Sequence, residues 1–119
     1  MYVKISELLG KTLTEVKVLD DEIYFYCNNG DSYKMYHEQD CCECVYIEDI
    51  CGNIQDLVGS PILIAEEVSN IDDPPKDKWD ESYTWTFYKL ANNNTYVTIR
   101  WYGESNGYYS EYVDFKKID

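Results

Sequence analysis

The fold is decided by residues 82–117, which read SYTWTFYKLANNNTYVTIRWYGESNGYYSEYVDFKK. Apolar and polar side chains alternate along three segments of this stretch, and a period of two predicts β-strands. Short runs rich in Asn, Ser and Gly separate the segments and predict tight turns. The stretch therefore predicts a three-stranded antiparallel meander. Its strands are Ser82–Ala91, Thr95–Glu104 and Tyr108–Lys117.

The register of the meander follows from its turns. A three-residue loop opposes Ala91 with Thr95, and Trp85 then lies beside Trp101. The second turn, which opposes Glu104 with Tyr108, selects the same apolar set, and agreement between two hairpins supports the register. The predicted buried face comprises Trp85, Phe87, Val97, Ile99, Trp101, Val113 and Phe115. The opposite face then holds Thr86, Tyr88, Thr98, Arg100, Tyr102, Ser110, Tyr112 and Asp114.

Earlier segments predict further strands and two short helical segments. The run Asn28–Asp31 is a strong hairpin signal, with Gly30 at the positive-φ position. Several registers fit this hairpin, and the most coherent apolar face places Ile23 opposite Met35. The predicted strands are Thr14–Leu19, Glu22–Cys27, Ser32–Glu38, Cys44–Ile50 and Pro61–Glu67, the last one central because its start is continuously apolar. The helical segments are Ser6–Gly10 and Asn53–Val58, and Asn70–Glu81 is an exposed loop.

These elements predict an α+β fold that is mostly antiparallel β, with about seven strands and one or two short helices. The 119 residues fit a single domain, 1–119, and a hydrophobic content of 45% with 16% aromatic residues is typical of a folded chain. The N-terminus lacks a basic-then-apolar signal region, and the longest apolar run is Pro61–Ala65. We therefore expect neither secretion nor membrane insertion.

Charge limits the classes of partner. Asp and Glu number 23 against 10 Lys and Arg, which gives a formal net charge of −13, and Arg100 is the only arginine. A protein that grips phosphates needs a clustered cationic surface, so direct binding to DNA or RNA is not expected. An acidic protein of this kind is suited to basic partner surfaces, or is simply very soluble.

The cysteines stand at positions 27, 41, 42, 44 and 51. Their odd number and the absence of an export signal favour reduced thiols, and adjacent Cys41 and Cys42 point to opposite faces of an extended chain. Residues 37–44 also contain the single histidine, but zinc sites usually use spaced cysteine pairs, so we predict buried cysteines and no metal or cofactor. The alternative is a metal site. Cysteine catalysis through His37 and Cys41 is not predicted, because nearby carboxylates raise a thiol pKa.

Two sets of side chains are candidates for binding. Arg100 is predicted on a polar face among tyrosines and hydroxyls, where it could bind an anion while the rings stack on a base or sugar. The alternative is a tyrosine-rich hairpin in which Arg100 is paired with an acid such as Asp114. This set is Arg100, Tyr102, Ser105, Asn106, Tyr108, Ser110 and Tyr112. The second set consists of the acids Asp40, Glu43, Glu48 and Asp49. Grouped carboxylates could bind a divalent cation, or form a solvated acidic face that meets a partner.

Four motifs resemble one known family. They are HxxDCCE at 37–43, IEDIxG at 47–52, DLxGxPI at 56–62 and RWYGxSNGYYS at 100–110. Together they resemble a family of small proteins of tailed bacteriophages and prophages, over about residues 35–115. That family has no established activity, so the resemblance implies a genomic context and a location in the cytoplasm of the infected bacterial host, and no catalytic residues.

Small acidic phage accessory proteins act mostly by binding, which favours a non-enzymatic inhibitor of a bacterial antiviral defence system. In one mechanism the acidic surface occupies a basic groove of a host defence protein. In another, Arg100 and its tyrosines sequester a nucleotide immune signal, for which a homo-oligomer would bring several arginines together. Two other classes remain: a carboxylate- and metal-dependent enzyme that uses Glu48 or Asp49, and a virion assembly protein.

Overall fold

The alternating segments form eight β-strands in two antiparallel four-stranded sheets, in a computed structural model that describes residues 1–118. The strands are β1 (Leu13–Leu19), β2 (Glu22–Cys27), β3 (Ser32–Tyr36), β4 (Cys44–Cys51), β5 (Ile64–Asn70), β6 (Ser82–Ala91), β7 (Tyr96–Ser105) and β8 (Asp114–Lys117). The mostly antiparallel β prediction is confirmed. The two predicted helical segments are present as short 3₁₀ turns in the described chain, at Ile5–Leu8 and Ile54–Leu57, so the fold is β-rich rather than α+β and has eight strands instead of about seven.

The first sheet has the strand order β1-β2-β3-β8 and the second has the order β4-β7-β6-β5. Their inner faces share one core, in which Trp101 donates a hydrogen bond from Nε1 to the sulfur of Met35 in the other sheet at 3.4 Å. Core side chains of the first sheet include Ile23, Phe25, Tyr33 and Met35, and those of the second include Tyr88, Leu90, Val97, Ile99 and Trp101. Burial of these large side chains is the main source of stability.

The β2–β3 hairpin has the predicted register. Ile23 is paired with Met35, and the amide of Cys27 donates to the carbonyl of Asp31 at 2.9 Å. Gly30 has a φ of 93°, a conformation that glycine adopts without a steric penalty. The apolar face and the turn glycine together therefore predicted this pairing.

The third segment of the predicted meander does not pair with β7. It is β8, and it pairs with β3 in the first sheet because β4 occupies the free edge of β7. Residues 106–113 cross from one sheet to the other. The N-terminal residues extend the first sheet beyond β8, where the amide of Val3 donates to the carbonyl of Phe115 at 3.0 Å and the amide of Lys117 donates to the carbonyl of Met1 at 2.8 Å.

The predicted β6–β7 register is wrong by one residue. Ala91 is paired with Tyr96 instead of Thr95, because the amide of Asn92 donates to the carbonyl of Thr95 and closes a four-residue turn. A one-residue shift exchanges the faces of one strand relative to the other. The core face therefore holds Thr86, Tyr88, Leu90, Val97, Ile99 and Trp101, and the outer face holds Tyr83, Trp85, Phe87, Thr98, Arg100 and Tyr102.

Other departures concern the predicted central strand and the two helices. The strand predicted at Pro61–Glu67 is β5, and it lies at an edge of the second sheet. The apolar run before it is not a strand: Ile62 is buried, while its amide donates to the carbonyl of Lys11 at 2.9 Å. Asn53 caps the second 3₁₀ turn, which lies within the predicted segment Asn53–Val58, and the first turn has no side-chain cap. In the described chain no helix is long and apolar enough to cross a membrane.

Candidate functional site

Arg100 lies on the outer face of the second sheet. Its Nη2 is 3.7 Å from Oε1 of Glu48, and its guanidinium carbon is 5.4 Å from the centroid of the Trp85 ring. Glu48 can reach Arg100 because β4 has a bulge at this residue. The acid that pairs with Arg100 is therefore Glu48 and not Asp114, which accepts a hydrogen bond from the amide of Glu38 at 2.9 Å.

Glu48 and Asp49 do not act as a pair. Asp49 accepts a hydrogen bond from the amide of Ile50 at 2.8 Å, so it is engaged locally. Within residues 1–118 no group of three or more His, Cys, Asp or Glu side chains is placed to hold a metal ion.

Tyr102 anchors a loop and does not face solvent. Residues 71–81, which we call the proline loop, fold over the outer face of β6 and β7. The Tyr102 hydroxyl donates to Asp80 at 2.5 Å and accepts from the amide of Lys76 at 3.2 Å. Burial and the Asp80 hydrogen bond raise the pKa of the Tyr102 phenol. The indole of Trp85 donates to the carbonyl of Pro74 at 3.0 Å. Tyr102 and Trp85 are thus buried on the face away from the core.

Ser105 belongs to a buried hydrogen-bonded cluster centred on Glu111. The Glu111 carboxylate accepts from the hydroxyl of Thr84 at 2.9 Å and from the hydroxyl of Ser105 at 2.5 Å. Gly103 permits the close approach, because a Cβ at this position would overlap the carbonyl oxygen of Glu111. The cluster fastens residues 106–113 to the ends of β6 and β7. Sequence reasoning missed Glu111, since an exposed acid and a buried one look alike in an acidic chain.

A second buried cluster is centred on Glu43 and fastens residues 37–43. Nε2 of His37 lies 2.7 Å from one Glu43 oxygen, and Nδ1 of the same ring lies 2.7 Å from the carbonyl oxygen of Tyr112. The Glu43 carboxylate also accepts from the amides of Asp40 and Cys41, both at 2.9 Å. These donors, led by the Cys41 amide, lower the pKa of Glu43 to about 2. His37 therefore ties this loop to residues 106–113.

The chain bends at Cys41 and Cys42, so it is not extended there and the two sulfur atoms lie side by side. The prediction of buried cysteines is wrong for these two residues, which are exposed, and their redox state stays a prediction. The free cysteines of the described chain are Cys27, which is buried, and Cys44 and Cys51, which are exposed.

Three segments meet where β6 begins and β7 ends: residues 37–43, the proline loop and residues 106–113. Large side chains are exposed here, with Trp79 at 77%, Tyr108 at 88%, Ile71 at 66% and Tyr112 at 60%. Cavities of about 210 and 320 Å³ flank the β6–β7 pair at this end. Glu81 and Glu104 line the smaller of the two. We call this surface the acidic–aromatic end; its residues are Ile71, Trp79, Glu81, Glu104, Tyr108 and Tyr112.

Five of the predicted site residues lie in or next to this end, and local bonds shape their loop. Asn106 accepts a hydrogen bond from the amide of Tyr108 at 3.1 Å, and Ser110 accepts one from the amide of Tyr112 at 3.3 Å. Ser105 is held by the Glu111 cluster. Arg100, Glu48 and Asp49 lie apart from these residues, on the outer face of the sheet and its neighbouring strand.

Negative charge is concentrated at the acidic–aromatic end. Burial first, and then the carboxylates of Asp80, Glu111, Asp77 and Glu81, raise the pKa of Glu104. Lys78 lies over the ring of Trp79, 5.2 Å from its centroid, which supports that indole in its exposed position. The arrangement can present flat aromatic rings to a partner, with carboxylates around them.

Comparison with known proteins gives one family. Residues 6–115 match the model of a domain of unknown function, DUF7448. No curated protein and no solved structure matches the chain significantly. Since the match covers most of the sequence, the chain belongs to the DUF7448 family.

Proposed function

We propose that this protein is a non-enzymatic phage accessory protein that inhibits a bacterial antiviral defence system. It acts in the cytoplasm of the infected host by binding a defence protein through the acidic–aromatic end. The observation that carries the proposal is the exposure of Trp79, Tyr108 and Tyr112 on two loops that meet where β6 begins and β7 ends, with acids in the same loops. Trp and Tyr are the residues most enriched at the energetic centres of protein interfaces.

Charge favours a basic partner. The chain has a net charge of −13, and the carboxylates around Glu104 are close enough to raise its pKa. Such a surface complements the cationic groove with which a defence protein holds nucleic acid, and it increases the rate of association. The aromatic side chains then bury apolar area in the complex. In this mechanism the protein competes directly with the nucleic acid for the groove.

Rigid anchoring suits this use. The Glu111 cluster and the Glu43 cluster hold two of the three loops through buried carboxylates. A surface that is already ordered loses less conformational entropy when a partner binds.

Affinity capture from a bacterial host lysate tests the proposal. We expect tagged protein to recover a basic host protein, detected by native mass spectrometry, and the recovery to decline steeply as salt is raised. Trp79→Ala and Tyr108→Ala should abolish the capture. Tyr96→Ala is the matched control, because Tyr96 is 53% exposed at the opposite end of the same hairpin.

Other outcomes would contradict this function. Recovery of a bound species of a few hundred daltons that is lost in Arg100→Ala would support sequestration of a nucleotide signal instead. That alternative has less support, since Arg100 is paired with Glu48 and lines neither of the two cavities at the acidic–aromatic end. Equal capture by the Trp79, Tyr108 and Tyr96 variants would show that the binding surface lies elsewhere.

A further inference from the structure

The larger of the two cavities at the acidic–aromatic end, of about 320 Å³, has aromatic walls. Tyr83, Tyr109 and Tyr112 line it, and no Lys, Arg or His of the described chain does. Tyr83 is held in place, because its hydroxyl donates to the carbonyl of Ile71 at 3.0 Å and its ring stacks on that of Tyr102, with the centroids 6.2 Å apart. The cavity is therefore formed by ordered rings, and its volume is within the range of small-molecule sites.

Glu111 is the charged residue of these walls, and it is only 7% exposed. Its hydrogen-bond donors are the neutral hydroxyls of Thr84 and Ser105. Within residues 1–118 it forms no ion pair with a Lys, Arg or His side chain, whereas the other buried carboxylate, that of Glu43, has His37 at 2.7 Å. Buried charges in proteins are usually paired, so an unpaired one in a cavity wall indicates a cation supplied by another molecule.

The Glu111 carboxylate has room for such a cation. Thr84 lines the larger cavity and Ser105 lines the smaller one, so the carboxylate that joins them lies between the two. An ionised carboxylate accepts about four hydrogen bonds, and the two hydroxyls supply only half of them. The faces of tyrosine rings carry partial negative charge and also attract cations. The acid and the rings therefore favour the same class of ligand.

We propose that this cavity receives an arginine side chain of the basic partner. The guanidinium donates to Glu111 and to the hydroxyl of Ser110, which also lines the cavity, while its plane stacks on the tyrosine rings. Arginine fits better than lysine, because the guanidinium is planar and has five donors in a fixed arrangement. The inference rests on the proposed function for the identity of the partner, and it names the side chain that the acidic–aromatic end recognises.

The test uses the full chain labelled with ¹⁵N, titrated with the peptide acetyl-Gly-Arg-Gly-amide and followed by NMR. We expect amide shifts in residues 82–84 and 107–112, with a dissociation constant on the order of 1 mM for this single contact. Glu111→Gln removes the charge, keeps the size of the side chain and should weaken binding about tenfold. Tyr109→Leu leaves the Glu111 cluster intact, removes one ring and should weaken binding about fivefold.

Two controls separate recognition of arginine from general attraction to an acidic protein. The peptide acetyl-Gly-citrulline-Gly-amide has nearly the same shape without the charge, and it should not shift these amides. Glu15→Gln removes one negative charge from an exposed position of β1 and should leave binding unchanged. Equal binding of the two peptides, equal weakening by Glu15→Gln and Glu111→Gln, or no amide shift at about 20 mM arginine peptide would overturn the proposal.

The peptide titration and the affinity capture can fail independently. Capture that depends on Trp79, together with no binding of the arginine peptide, would leave the proposed function standing and overturn the arginine cavity. Binding of the arginine peptide at Glu111, together with no captured host protein, would support the cavity and contradict the proposed function.

Discussion

Replacement of Glu111 by Ala should destabilise the protein strongly, although the sequence did not single out this acid. The carboxylate is buried and accepts hydrogen bonds from Thr84 and Ser105, whose side chains are also buried. Hydrogen bonds to a charged group contribute about 1.5–3 kcal/mol each, and the variant would leave two buried hydroxyls unpaired. Since water can enter the space left behind, we expect a total loss of about 3 kcal/mol.

Urea unfolding followed by tryptophan fluorescence measures this loss. For a chain of this size, about 3 kcal/mol corresponds to a decrease in Tm of about 10 °C. Hydrogen exchange should also accelerate in residues 106–113, because the cluster fastens this segment to the sheet. Adding Thr84→Val and Ser105→Ala to the Glu111→Ala variant should restore part of the stability, since the unpaired hydroxyls are then removed.

A small effect would refute the reasoning. A loss below about 0.5 kcal/mol is the size expected of an ordinary surface substitution, and it would mean that Glu111 is solvated. Unchanged exchange in residues 106–113 would mean that other contacts hold the loop.

Three further outcomes are expected. The pKa of Glu43 is lowered from 4.5 to about 2 in the folded protein. The contribution of this carboxylate to stability is therefore complete above pH 4.5 and is lost as the pH falls through 2. The difference in unfolding free energy between the wild type and Glu43→Gln should decrease over that pH interval. Gly103→Ala should cost about 1–3 kcal/mol in thermal or urea unfolding, because the new methyl group overlaps the carbonyl of Glu111. Cys27 is buried, whereas Cys44 and Cys51 are exposed, so Ellman's reagent should modify these two thiols in the folded protein and Cys27 only after denaturation. Burial and nearby carboxylates raise the pKa of Cys44, so its reaction should accelerate as the pH is raised.

Local turn chemistry explains which pairings could be predicted. The β2–β3 register was predicted because only one of the possible registers combines a coherent apolar face with Gly30 at a positive-φ position. The loop at Asn92–Asn94 is ambiguous, since Asn92 accepts from the amides of both Asn94 and Thr95 and so extends the turn by one residue. Both faces of β6 and β7 carry aromatic rings, so the hydrophobic pattern could not distinguish the two registers.

Non-local features of the fold and the site could not be read from the sequence. β8 pairs with β3 because β4 already pairs with the free edge of β7. The local sequence pattern of β8 contains no information about this competition. Among the predicted site residues, Tyr108 and Tyr112 are exposed, while Ser105 and Glu43 are buried and fasten the loops. Sequence identifies such polar residues as candidates, but only the fold separates those that support a surface from those that form it.

The position of β8 also has a kinetic consequence. In the first sheet the N-terminal residues pair with the segment that ends at Lys117. This pairing joins residues from the two ends of the chain, so it closes a loop of nearly the whole sequence. Folding rates decrease with such sequence separation, and we expect refolding on a timescale of milliseconds to seconds. Before β8 pairs with β3, the edge of β3 and the apolar face around Met35 remain exposed to solvent. During that interval the nascent chain is most open to aggregation and to chaperones.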